Sequence, residues 1–478
     1  MPGRRRAQAA ARGRTRGGQV VVVAQRAASP SVGQVAEPAL ADFWDLSADQ
    51  RTAVLRDGIA AAHRYHFERN QAYRRAVALR GVGADASSPV RLLRPTAATF
   101  KSYIDVLGTP FPNDEPQAFV EWLADQLSVP LAPAVRRLRR RYGSLESLLR
   151  DIERVGADDG LEILTSSGTS GRASIIVRDQ SATDLTVESF YLCFRRYFGM
   201  TADHRVIFLM PRQTRIAMAR MARFSVARVG LTDDRVHFAI PFPAYPDQVR
   251  IRAGRTFRLD RRGALERRLW HPLMAWLQER HVDPLATSRA VSMLERAAAD
   301  GEKVLLFGSL VQMDRIADRL ALRGCVLELA AGSLVGTGGG MKEMYPRTPA
   351  EIRQRVAAVL RSRGGGELPM RDVYGMAEAN WAAMQCAAGN YHVPPWVLAV
   401  TLDPDDEPQD AASSTGMLAF WDPFGGGALY PPFFKTADRV TLVQAPSGCP
   451  CGDDGAFIER ESIQRADRLE EAGCAAQM

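Results

Sequence analysis

A serine- and glycine-rich stretch from Leu164 to Gly171 is the strongest local signal for chemistry in this sequence. It reads Leu-Thr-Ser-Ser-Gly-Thr-Ser-Gly and lies between two short apolar runs. Glycines leave backbone N–H groups accessible, and serine and threonine hydroxyls add further donors, so such a loop can wrap anionic oxygens. It lacks the Gly-Lys-Ser/Thr ending of a Walker loop. Taken alone, the stretch is also compatible with an ordinary hairpin turn.

Two further glycine-containing segments follow predicted strands. The first, Gly336 to Lys342, reads Gly-Thr-Gly-Gly-Gly-Met-Lys, and Met341 replaces the third glycine of the dinucleotide-binding fingerprint. A glycine-rich turn here would let the backbone lie flat against a planar base. The second, Val373 to Glu378, reads Val-Tyr-Gly-Met-Ala-Glu. A carboxylate at that strand end could hold Mg²⁺ against phosphate oxygens, although Glu378 alone is also compatible with an ordinary loop acid.

Four potential metal ligands lie in the last part of the chain. Cys386 is followed after five residues by His392, and the run Cys449-Pro-Cys451 adds two thiols. Three thiols and an imidazole are a donor set typical of a closed tetrahedral zinc site, although this is not zinc-finger spacing. We expect a structural Zn²⁺ that pins the segment after residue 440 to the main domain. The alternative is a buried free cysteine, a core histidine and a Cys-Pro-Cys turn.

Composition indicates a globular protein in a reduced, cytoplasmic setting. The chain has 478 residues, 46% of them hydrophobic, which is enough for a sizeable core. Its six cysteines are too sparse for a disulfide scaffold. No apolar run approaches the roughly 20 residues needed to span a bilayer, so we expect no membrane partner.

The net charge of +8 is concentrated at the start of the chain. Residues 1–36 contain seven arginines and no acid, which leaves about +1 for the remainder. The basic balance is therefore weak evidence for nucleic-acid binding, which we do not expect. We interpret the opening segment as a disordered basic tail or an overlong start, with a transit-type peptide as the alternative.

The rest of the chain predicts a helical N-terminal region followed by an α/β sheet. Apolar spacing of three to four predicts helices from Phe43 to Arg80 and within residues 95–155, including one over the basic run Val135–Arg141. From about Leu161, short apolar runs alternate with helical stretches, which is typical of α/β folds. Predicted strands are Arg205–Met210, Lys303–Phe307, Cys325–Leu329 and Arg371–Tyr374. Predicted helices in this part are Val311–Leu322 and one from the Thr348 capping box to the glycines at 364–366.

The order of these motifs resembles that of the adenylate-forming enzymes. That order is a Ser/Thr/Gly loop, a central glycine-rich turn, a Tyr-Gly-x-x-Glu segment and then an aspartate, here Asp438 in Thr-Ala-Asp-Arg. Over roughly residues 45–478 the sequence resembles the acyl-protein synthetases of bacterial bioluminescence systems and, more distantly, phenylacetate–CoA ligases. Specific points are Ser174, the Val-Arg-Asp run at 177–179, the His-Val-Pro-Pro-Trp run at 392–396 and the cysteine-rich ending.

The resemblance implies an α/β fold, with an adenylate-forming large domain, a helical N-terminal region and a shortened C-terminal segment. We divide the chain into a basic tail at 1–37, an AMP-binding domain at 38–440 and a segment at 441–478 with Cys-x-Cys and a terminal thiol. The residues implied to cradle the ATP phosphates are Thr165, Ser166, Ser167, Gly168, Thr169, Ser170 and Gly171. Those implied around the adenosine are Gly338, Gly339 and Gly340 beside adenine, Tyr374 and Gly375 at the base, and Asp438 on the ribose. Glu378 is implied to ligate Mg²⁺.

Two departures from the family pattern concern the nucleotide site. The phosphate loop of the family usually continues with Pro-Lys, whereas here Arg172 and Ala173 follow, so Arg172 is the candidate for the catalytic cation. The ribose aspartate usually follows glycine, and here it follows Ala437. In the implied reaction the substrate carboxylate attacks the α-phosphorus in line and pyrophosphate leaves, so charge builds on phosphate oxygens. No general base is required because the acid is already ionised at neutral pH.

Cys474 matches the position of the acyl-accepting cysteine near the C-terminus of the acyl-protein synthetases. Transfer from the adenylate to a thiolate would conserve an activated acyl group. Only 40 residues follow Asp438, fewer than a full mobile C-terminal domain. The resemblance therefore predicts self-acylation and handover to an acyl reductase or acyl-carrier partner, with an idle terminal cysteine as the alternative.

Two other functions stay open on these residues. A ligase that passes the acyl group to CoA, to a carrier protein or to an amine would not need Cys474. A zinc-stabilised interaction protein with a degenerate nucleotide site would show no acid-dependent pyrophosphate exchange. The motifs do not distinguish a fatty from an aromatic acid.

Overall fold

The computed structural model describes residues 39–85, 89–109, 111–131, 135–136, 138–157, 160–166, 173–228, 231–232, 234–248, 261–339, 345–446 and 448–465. The chain divides between Ser31 and Val32, and every described residue lies in the second unit. Among the described helices, none is both long enough and apolar enough to cross a membrane.

Helices dominate the first part of the described chain and recur between the strands of the second. The α-helices are α1 (Ala48–Arg69), α2 (Gln71–Ala78), α3 (Thr96–Phe100), α4 (Tyr103–Leu107), α5 (Pro116–Gln126), α6 (Leu145–Val155), α7 (Gln180–Phe198), α8 (Ala217–Arg228), α9 (Arg261–Leu265), α10 (His271–Leu277), α11 (Asp283–Asp300), α12 (Leu310–Leu322) and α13 (Pro349–Val359). Short 3₁₀ turns occupy Leu40–Trp44 and Pro89–Leu92, and π-helical turns occupy Glu266–Trp270 and Gln278–Val282.

Seventeen strands are described, and most of them join one large sheet. They are β1 (Arg94–Pro95), β2 (Glu162–Thr165), β3 (Ile175–Arg178), β4 (Arg205–Pro211), β5 (Val236–Ile240), β6 (Val304–Gly308), β7 (Leu327–Leu329), β8 (Leu334–Gly338), β9 (Leu360–Ser362), β10 (Met370–Gly375), β11 (Ala382–Gln385), β12 (Tyr391–His392), β13 (Leu398–Leu402), β14 (Ser413–Trp421), β15 (Phe433–Val443), β16 (Phe457–Ile458) and β17 (Gln464–Arg465). The sheet runs β13-β14-β15-β16-β12-β11-β10-β8-β6-β4-β5, with β1 and β17 also paired to β15.

One half of this sheet is parallel and the other antiparallel. Strands β10, β8, β6, β4 and β5 pair in parallel, so their carboxyl ends share one edge. In open α/β sheets that edge is where ligands bind. From β10 onward the pairing turns antiparallel. The hairpin β2–β3 stands apart from the sheet and holds the start and the end of the Ser/Thr/Gly loop between its strands.

The N-terminal helical region is attached to the antiparallel half by direct contacts. The short strand β1 pairs in parallel with β15, so that Arg94 lies opposite Phe434. The indole nitrogen of Trp421 donates to the carbonyl of Pro89 at 3.1 Å, and the Ser128 amide donates to Leu429 at 2.9 Å. Buried side chains of α1 and α2 share a core cluster with residues of β14 and β15. Residues far apart in sequence therefore form one packed body.

The α/β class and the helical N-terminal region are confirmed, and most predicted elements lie where the pattern placed them. Thr348 caps α13 in a reciprocal capping box with Glu351, as predicted. That helix ends at Val359, however, and residues 360–362 form β9 instead of continuing to the glycines. The helix predicted over Val135–Arg141 is wrong, because residues 138–141 are irregular. The proposed boundary at residue 440 falls inside β15, and the division into domains stays a prediction.

Candidate functional site

The two strands that flank the Ser/Thr/Gly loop bring its two ends together. Antiparallel pairing of β2 and β3 sets Thr165 opposite Ile175. The Ser166 hydroxyl accepts a hydrogen bond from the Ser174 amide at 2.9 Å, and the Ser166 amide donates to the Ser174 carbonyl at 3.2 Å. The Thr165 hydroxyl is buried and has no hydrogen-bond partner among the described residues. Residues 167–172 lie outside the described residues, so the loop is defined here by its two ends.

A buried ionic network fixes the strand that leads into the loop. The Arg215 guanidinium contacts Glu146 at 2.7 Å and Glu153 at 2.6 Å, and its Nη1 donates to the Ile163 carbonyl at 3.2 Å. Burial lowers the pKa of Arg215, but the two carboxylates outweigh that effect and raise it. The Arg215 carbonyl also accepts from the Thr165 amide at 2.8 Å. The network thus ties β2 to α6 immediately before the loop.

Glu378 joins the loop hairpin to the sheet. It follows β10 at the carboxyl edge, and its carboxylate accepts a short hydrogen bond from the Ser174 hydroxyl, across 204 residues of sequence. The residue is half-buried. Ser174 thus connects Ser166, through its backbone amide, to Glu378, through its hydroxyl. Oxygen ligands of this kind suit a hard divalent cation.

Arg178 holds the backbone around Glu378 in place. It lies at the end of β3 and is 2% exposed. Its Nε donates to the Asn380 side chain at 2.8 Å and its Nη2 to the Ala379 carbonyl at 2.9 Å. Burial lowers the pKa of Arg178 to about 10, so the side chain stays charged at neutral pH. Its Nη1 is buried and has no partner within the described parts of the chain.

Tyr374 and Asp438, predicted to bind the base and the ribose, contact each other. The Tyr374 hydroxyl donates to the Asp438 carboxylate at 2.8 Å, and burial raises the pKa of Tyr374 well above its ordinary value. Asp438 lies on β15 opposite Arg465 of β17, and their charged groups are 3.8 Å apart. Asp438 is thus positioned from two sides, by an aromatic hydroxyl and by a cation.

The glycine-rich turn runs beside the Tyr-Gly-x-x-Glu segment. Gly338 ends β8 and lies opposite Val373 of the parallel neighbour β10. Gly339 follows with a φ of +86°, a left-handed conformation that favours glycine. The turn therefore leaves the carboxyl edge next to Tyr374 and Gly375. Gly340 lies outside the described residues.

A small cavity with charged and aromatic walls adjoins Glu378. Arg178, Glu378, Asp422 and Tyr430 are among the side chains that line it. The Tyr430 hydroxyl accepts from the Val177 amide at 3.3 Å, and Asp422 Oδ1 accepts from the Gly425 amide at 2.8 Å. Burial raises the pKa of Asp422 to about 7, against the opposing effect of the Gly425 hydrogen bond. This carboxyl group is therefore largely protonated in mildly acidic solution.

Asp422 should make the protein less stable as the pH rises from about 4 to about 7. Over that range unfolded Asp422 is ionised while the folded side chain keeps its proton, so the folded state binds more protons. The Asp422→Asn variant lacks this penalty. Between pH 5 and pH 8 its free energy of unfolding should therefore rise relative to wild type by roughly 2–3 kcal/mol. Urea unfolding at both pH values measures the difference.

Asp405→Asn is the matched control for that experiment, since Asp405 is exposed in a surface loop. Its stability difference from wild type should not change with pH. If the difference in unfolding free energy between Asp422→Asn and wild type is also the same at both pH values, the raised pKa of Asp422 is contradicted.

The four predicted metal ligands lie together. One ligand atom from each of Cys386, His392, Cys449 and Cys451 lies within 4.8 Å of all the others. The sulfurs of Cys386 and Cys449 are 3.9 Å apart, and Cys451 Sγ is 3.3 Å from His392 Nε2. Zn–S bonds of about 2.3 Å in a tetrahedron put sulfurs about 3.8 Å apart, so the spacing fits zinc. The fold thus brings the three predicted cysteines and the predicted histidine together in one cluster.

Asp453 lies beside the imidazole of this cluster. Its Oδ1 is 3.6 Å from His392 Nδ1, and its Oδ2 accepts from Arg196 Nε at 2.8 Å and from the Tyr197 hydroxyl at 3.1 Å. The Tyr197 ring stacks on His392 with centroids 5.1 Å apart. Burial lowers the pKa of His392, which favours the neutral imidazole that a metal requires. Arg196 and Tyr197 belong to α7, so this carboxylate connects the cluster to that helix.

Several predicted site residues lie together at the carboxyl edge, and the others lie outside the described residues. Thr165, Ser166, Gly338, Gly339, Tyr374, Gly375, Glu378 and Asp438 occupy the hairpin, the strand ends and β15 described above. Outside the described residues lie Ser167, Gly168, Thr169, Ser170, Gly171, Arg172, Gly340 and Cys474. The roles assigned to all of these residues stay predictions.

Two residues that support the site were not predicted from the sequence, and a third, Arg178, was quoted only as a point of resemblance without a role. Asp453 had a signal, because it is a carboxylate two residues after a predicted ligand. Asp422 had none, because its burial depends on the packing of β14 and the loop after it.

Together, the fold and these contacts define an α/β protein with a candidate ligand site at the carboxyl edge of parallel strands. Residues 274–478 match the profile of the family described as "Acyl-protein synthetase, LuxE". The resemblance to acyl-protein synthetases is thereby confirmed over that part of the chain. A curated relative, the long-chain-fatty-acid–luciferin-component ligase of Aliivibrio fischeri, is 30% identical over 111 residues, which span 23% of this chain and 27% of that protein.

Solved structures with similar coordinates include two crystal structures of 2-hydroxyisobutyryl-CoA ligase with 2-HIB-AMP and CoA. The open conformation has a TM-score of 0.47 at 10% identity and covers 87% of this chain and 75% of that one. The thioesterification state has a TM-score of 0.49 at 12% identity and covers 90% and 71%. ATP-bound MatB from Rhodopseudomonas palustris has a TM-score of 0.35 at 14% identity, covering 62% and 47%.

Proposed function

We propose that this protein activates a carboxylic acid with ATP and passes the acyl group from the adenylate to a thiol. The observation that carries the proposal is the hydrogen bond from Ser174 to Glu378, which joins the phosphate-loop hairpin to the Tyr-Gly-x-x-Glu segment. Tyr374 lies four residues before Glu378 and donates to Asp438, and this pair would take the nucleoside. The match of residues 274–478 to acyl-protein synthetases supports the same reaction class.

The residues present fit ATP and Mg²⁺ chemically. Glu378 and the hydroxyls of Ser166 and Ser174 offer oxygen ligands, and the buried Thr165 hydroxyl lacks a partner within the described residues. Glu378 would hold Mg²⁺, which supplies charge neutralisation at phosphate oxygens. The Asp438 carboxylate is able to accept hydrogen bonds from the two ribose hydroxyls.

In the first half-reaction, an oxygen of the substrate carboxylate forms a bond to the α-phosphorus of ATP. The bond from that phosphorus to the bridging oxygen breaks, and pyrophosphate leaves with the electron pair. Residues 165–171 would hold the phosphates through backbone N–H groups and hydroxyls, and Arg172 would supply the cation. Arg178 keeps the Glu378 backbone fixed through two carbonyl contacts during this step.

In the second half-reaction, the Cys474 thiolate attacks the acyl carbon of the adenylate. The bond from that carbon to the AMP oxygen breaks, AMP leaves, and a thioester keeps the acyl group activated. A partner acyl reductase or acyl carrier would then take the acyl group, and reduction by the partner would yield an aldehyde. A ligase with an external acceptor shares the first half-reaction and differs only here.

We further propose that the cluster of Cys386, His392, Cys449 and Cys451 holds a structural Zn²⁺. Four protein ligands fill a tetrahedral shell, so the metal would have no open position for catalysis. Its ligands come from the ends of β11, β12 and the loop before β16. A metal there would fasten residues 449–458 to the sheet and, through Asp453, to α7.

The decisive experiment is acid-dependent ATP–pyrophosphate exchange over a panel of fatty and aromatic acids. Wild type and Cys474→Ala are assayed together, and the intact mass of each protein is measured after incubation with ATP and acid. We expect exchange in both proteins and an added acyl mass in wild type alone. Exchange with no added mass in either protein would move the assignment to a ligase with an external acceptor. Absence of exchange with every acid would contradict adenylation.

A further inference from the structure

An exposed row of large apolar side chains lies on the helical segment from α9 to α11, away from the candidate site. Within the described residues, eleven large hydrophobic side chains are exposed, and six of them fall between residues 265 and 285. They include two of the seven tryptophans, Trp270 at 48% and Trp276 at 52% exposed. Isolated exposed apolar residues are normal, but a contiguous group of this size marks an interaction surface.

These side chains share one side of the helical segment. Leu265, Leu269 and Leu273 are spaced by four, and Trp270 and Trp276 each lie three residues from Leu273. Residues three and four apart on an α-helix are neighbours, and in the π-helical turn Glu266–Trp270 so are residues four and five apart, so the five form a single apolar stripe. No residue of His271–Leu277 or Gln278–Val282 is buried, so this part of the segment is at least partly open to solvent along its length.

The stretch of sequence that contains the apolar stripe is strongly basic. Residues 250–280 contain nine arginines and three acids, a net charge of +6. Residues 1–36 carry a net charge of +7 and the whole chain +8, so all other residues together carry −5. Among the described side chains, Arg261, Arg268 and Arg280 are exposed along the same helical segment. Outside the first 36 residues, the excess of positive charge is therefore concentrated in the stretch of sequence that contains the stripe.

We propose that the apolar stripe binds the surface of an anionic lipid bilayer, with the helical segment lying in the plane of the interface. An amphipathic helix with tryptophan and leucine on one side and arginine around it has the pattern of such segments. Tryptophan favours the boundary between headgroups and acyl chains because its ring is large, apolar and still able to hydrogen-bond. The arginines add attraction to anionic headgroups.

Contact of this kind differs from a membrane-spanning segment. The sequence predicts no membrane partner because no apolar run can span a bilayer, and none of the described helices is long and apolar enough to do so. A helix that lies in the interface requires only one apolar side and no spanning length. The proposal does not depend on adenylation, because none of these residues belongs to the candidate site described above.

The test is binding of the full-length protein to vesicles of an equal mixture of phosphatidylcholine and phosphatidylglycerol, with phosphatidylcholine vesicles alongside. We expect binding to the mixed vesicles, weakened by salt, and a shift of tryptophan emission to shorter wavelength. The double variant Trp270→Ala/Trp276→Ala should lose that shift and bind about tenfold or more weakly. Arg261→Glu/Arg268→Glu/Arg280→Glu should weaken binding to the mixed vesicles as well.

Leu322→Ala is the matched control, since Leu322 is 86% exposed and lies outside the apolar stripe. It should bind the mixed vesicles like wild type. Urea unfolding of all these variants should show that each one remains folded under the conditions of the binding assay. Two results would overturn the proposal. One is a full-length protein that binds neither kind of vesicle, even if the stripe is found to mediate dimerisation or binding to another protein. The other is a tryptophan double variant that binds as tightly as wild type, which would assign binding to the basic residues 1–36.

Discussion

Replacing Glu378 with glutamine should lower acid-dependent ATP–pyrophosphate exchange by about a hundredfold or more. Glutamine can still accept the hydrogen bond from the Ser174 hydroxyl, so the link between the hairpin and the sheet is retained. What is lost is the negative charge that would hold Mg²⁺ against the phosphates. Exchange rates at saturating ATP and acid, measured over a range of Mg²⁺ concentrations, test this directly.

Two further variants separate charge from structure. Glu407→Gln is the matched control, because Glu407 is exposed on a surface loop, and its exchange rate should equal that of wild type. Ser174→Ala removes the hydroxyl that donates to Glu378 but keeps the carboxylate. Its exchange rate should fall less, by about tenfold. If Glu378→Gln exchanges pyrophosphate as fast as Glu407→Gln, the role of Glu378 is excluded.

Loss of one metal ligand should produce the largest change in stability. Wild type, purified without chelator, should contain one Zn²⁺ per chain, and Cys449→Ser should contain much less. Structural zinc sites bind with free energies of about 10 kcal/mol or more, and part of that energy stabilises the fold. We therefore expect Cys449→Ser to lose at least roughly 3 kcal/mol of unfolding free energy. Zinc analysis by mass spectrometry and urea unfolding give the two readouts.

Cys325→Ser is the matched control for that experiment, since Cys325 is a free, partly exposed cysteine outside the cluster. It should keep both its zinc and its stability. Asp453→Asn should keep the four ligands but bind zinc about 10- to 100-fold more weakly in a chelator competition, because it removes the carboxylate charge 3.6 Å from His392 Nδ1. Metal-free wild type with the same stability as the metal-loaded protein would show that the cluster is not a structural metal site.

Local sequence patterns were sufficient for the elements and insufficient for the contacts between them. The apolar run at β4 and the Thr348 capping box depend on neighbouring residues, and both lie where they were predicted. The basic run at 135–141 shows the limit of that approach. Arginine favours helix intrinsically, but Tyr142 is buried there and donates to Asp151, so tertiary contacts set the backbone.

The motifs of the candidate site could be predicted from the sequence, but the contacts between them could not. Ser174 and Glu378 are 204 residues apart, and Arg178 reaches Asn380 over 202. No local pattern states that two such distant segments meet, whereas the order of the motifs, once it resembled a family, implied it. The metal cluster was easier to predict from the sequence, because three cysteines and a histidine are a donor set typical of a zinc site.

The position of β15 has a consequence for how the chain acquires its structure during synthesis. This strand, Phe433–Val443, pairs with β1, β14, β16 and β17, so it joins the helical N-terminal region to the end of the described chain. Arg94 is therefore synthesised 340 residues before Phe434, the residue opposite it in the sheet. Contacts of such long sequence separation form slowly and leave apolar surface exposed meanwhile. The N-terminal helices therefore cannot complete their packing as a separate, early-folding unit before β15 has been made.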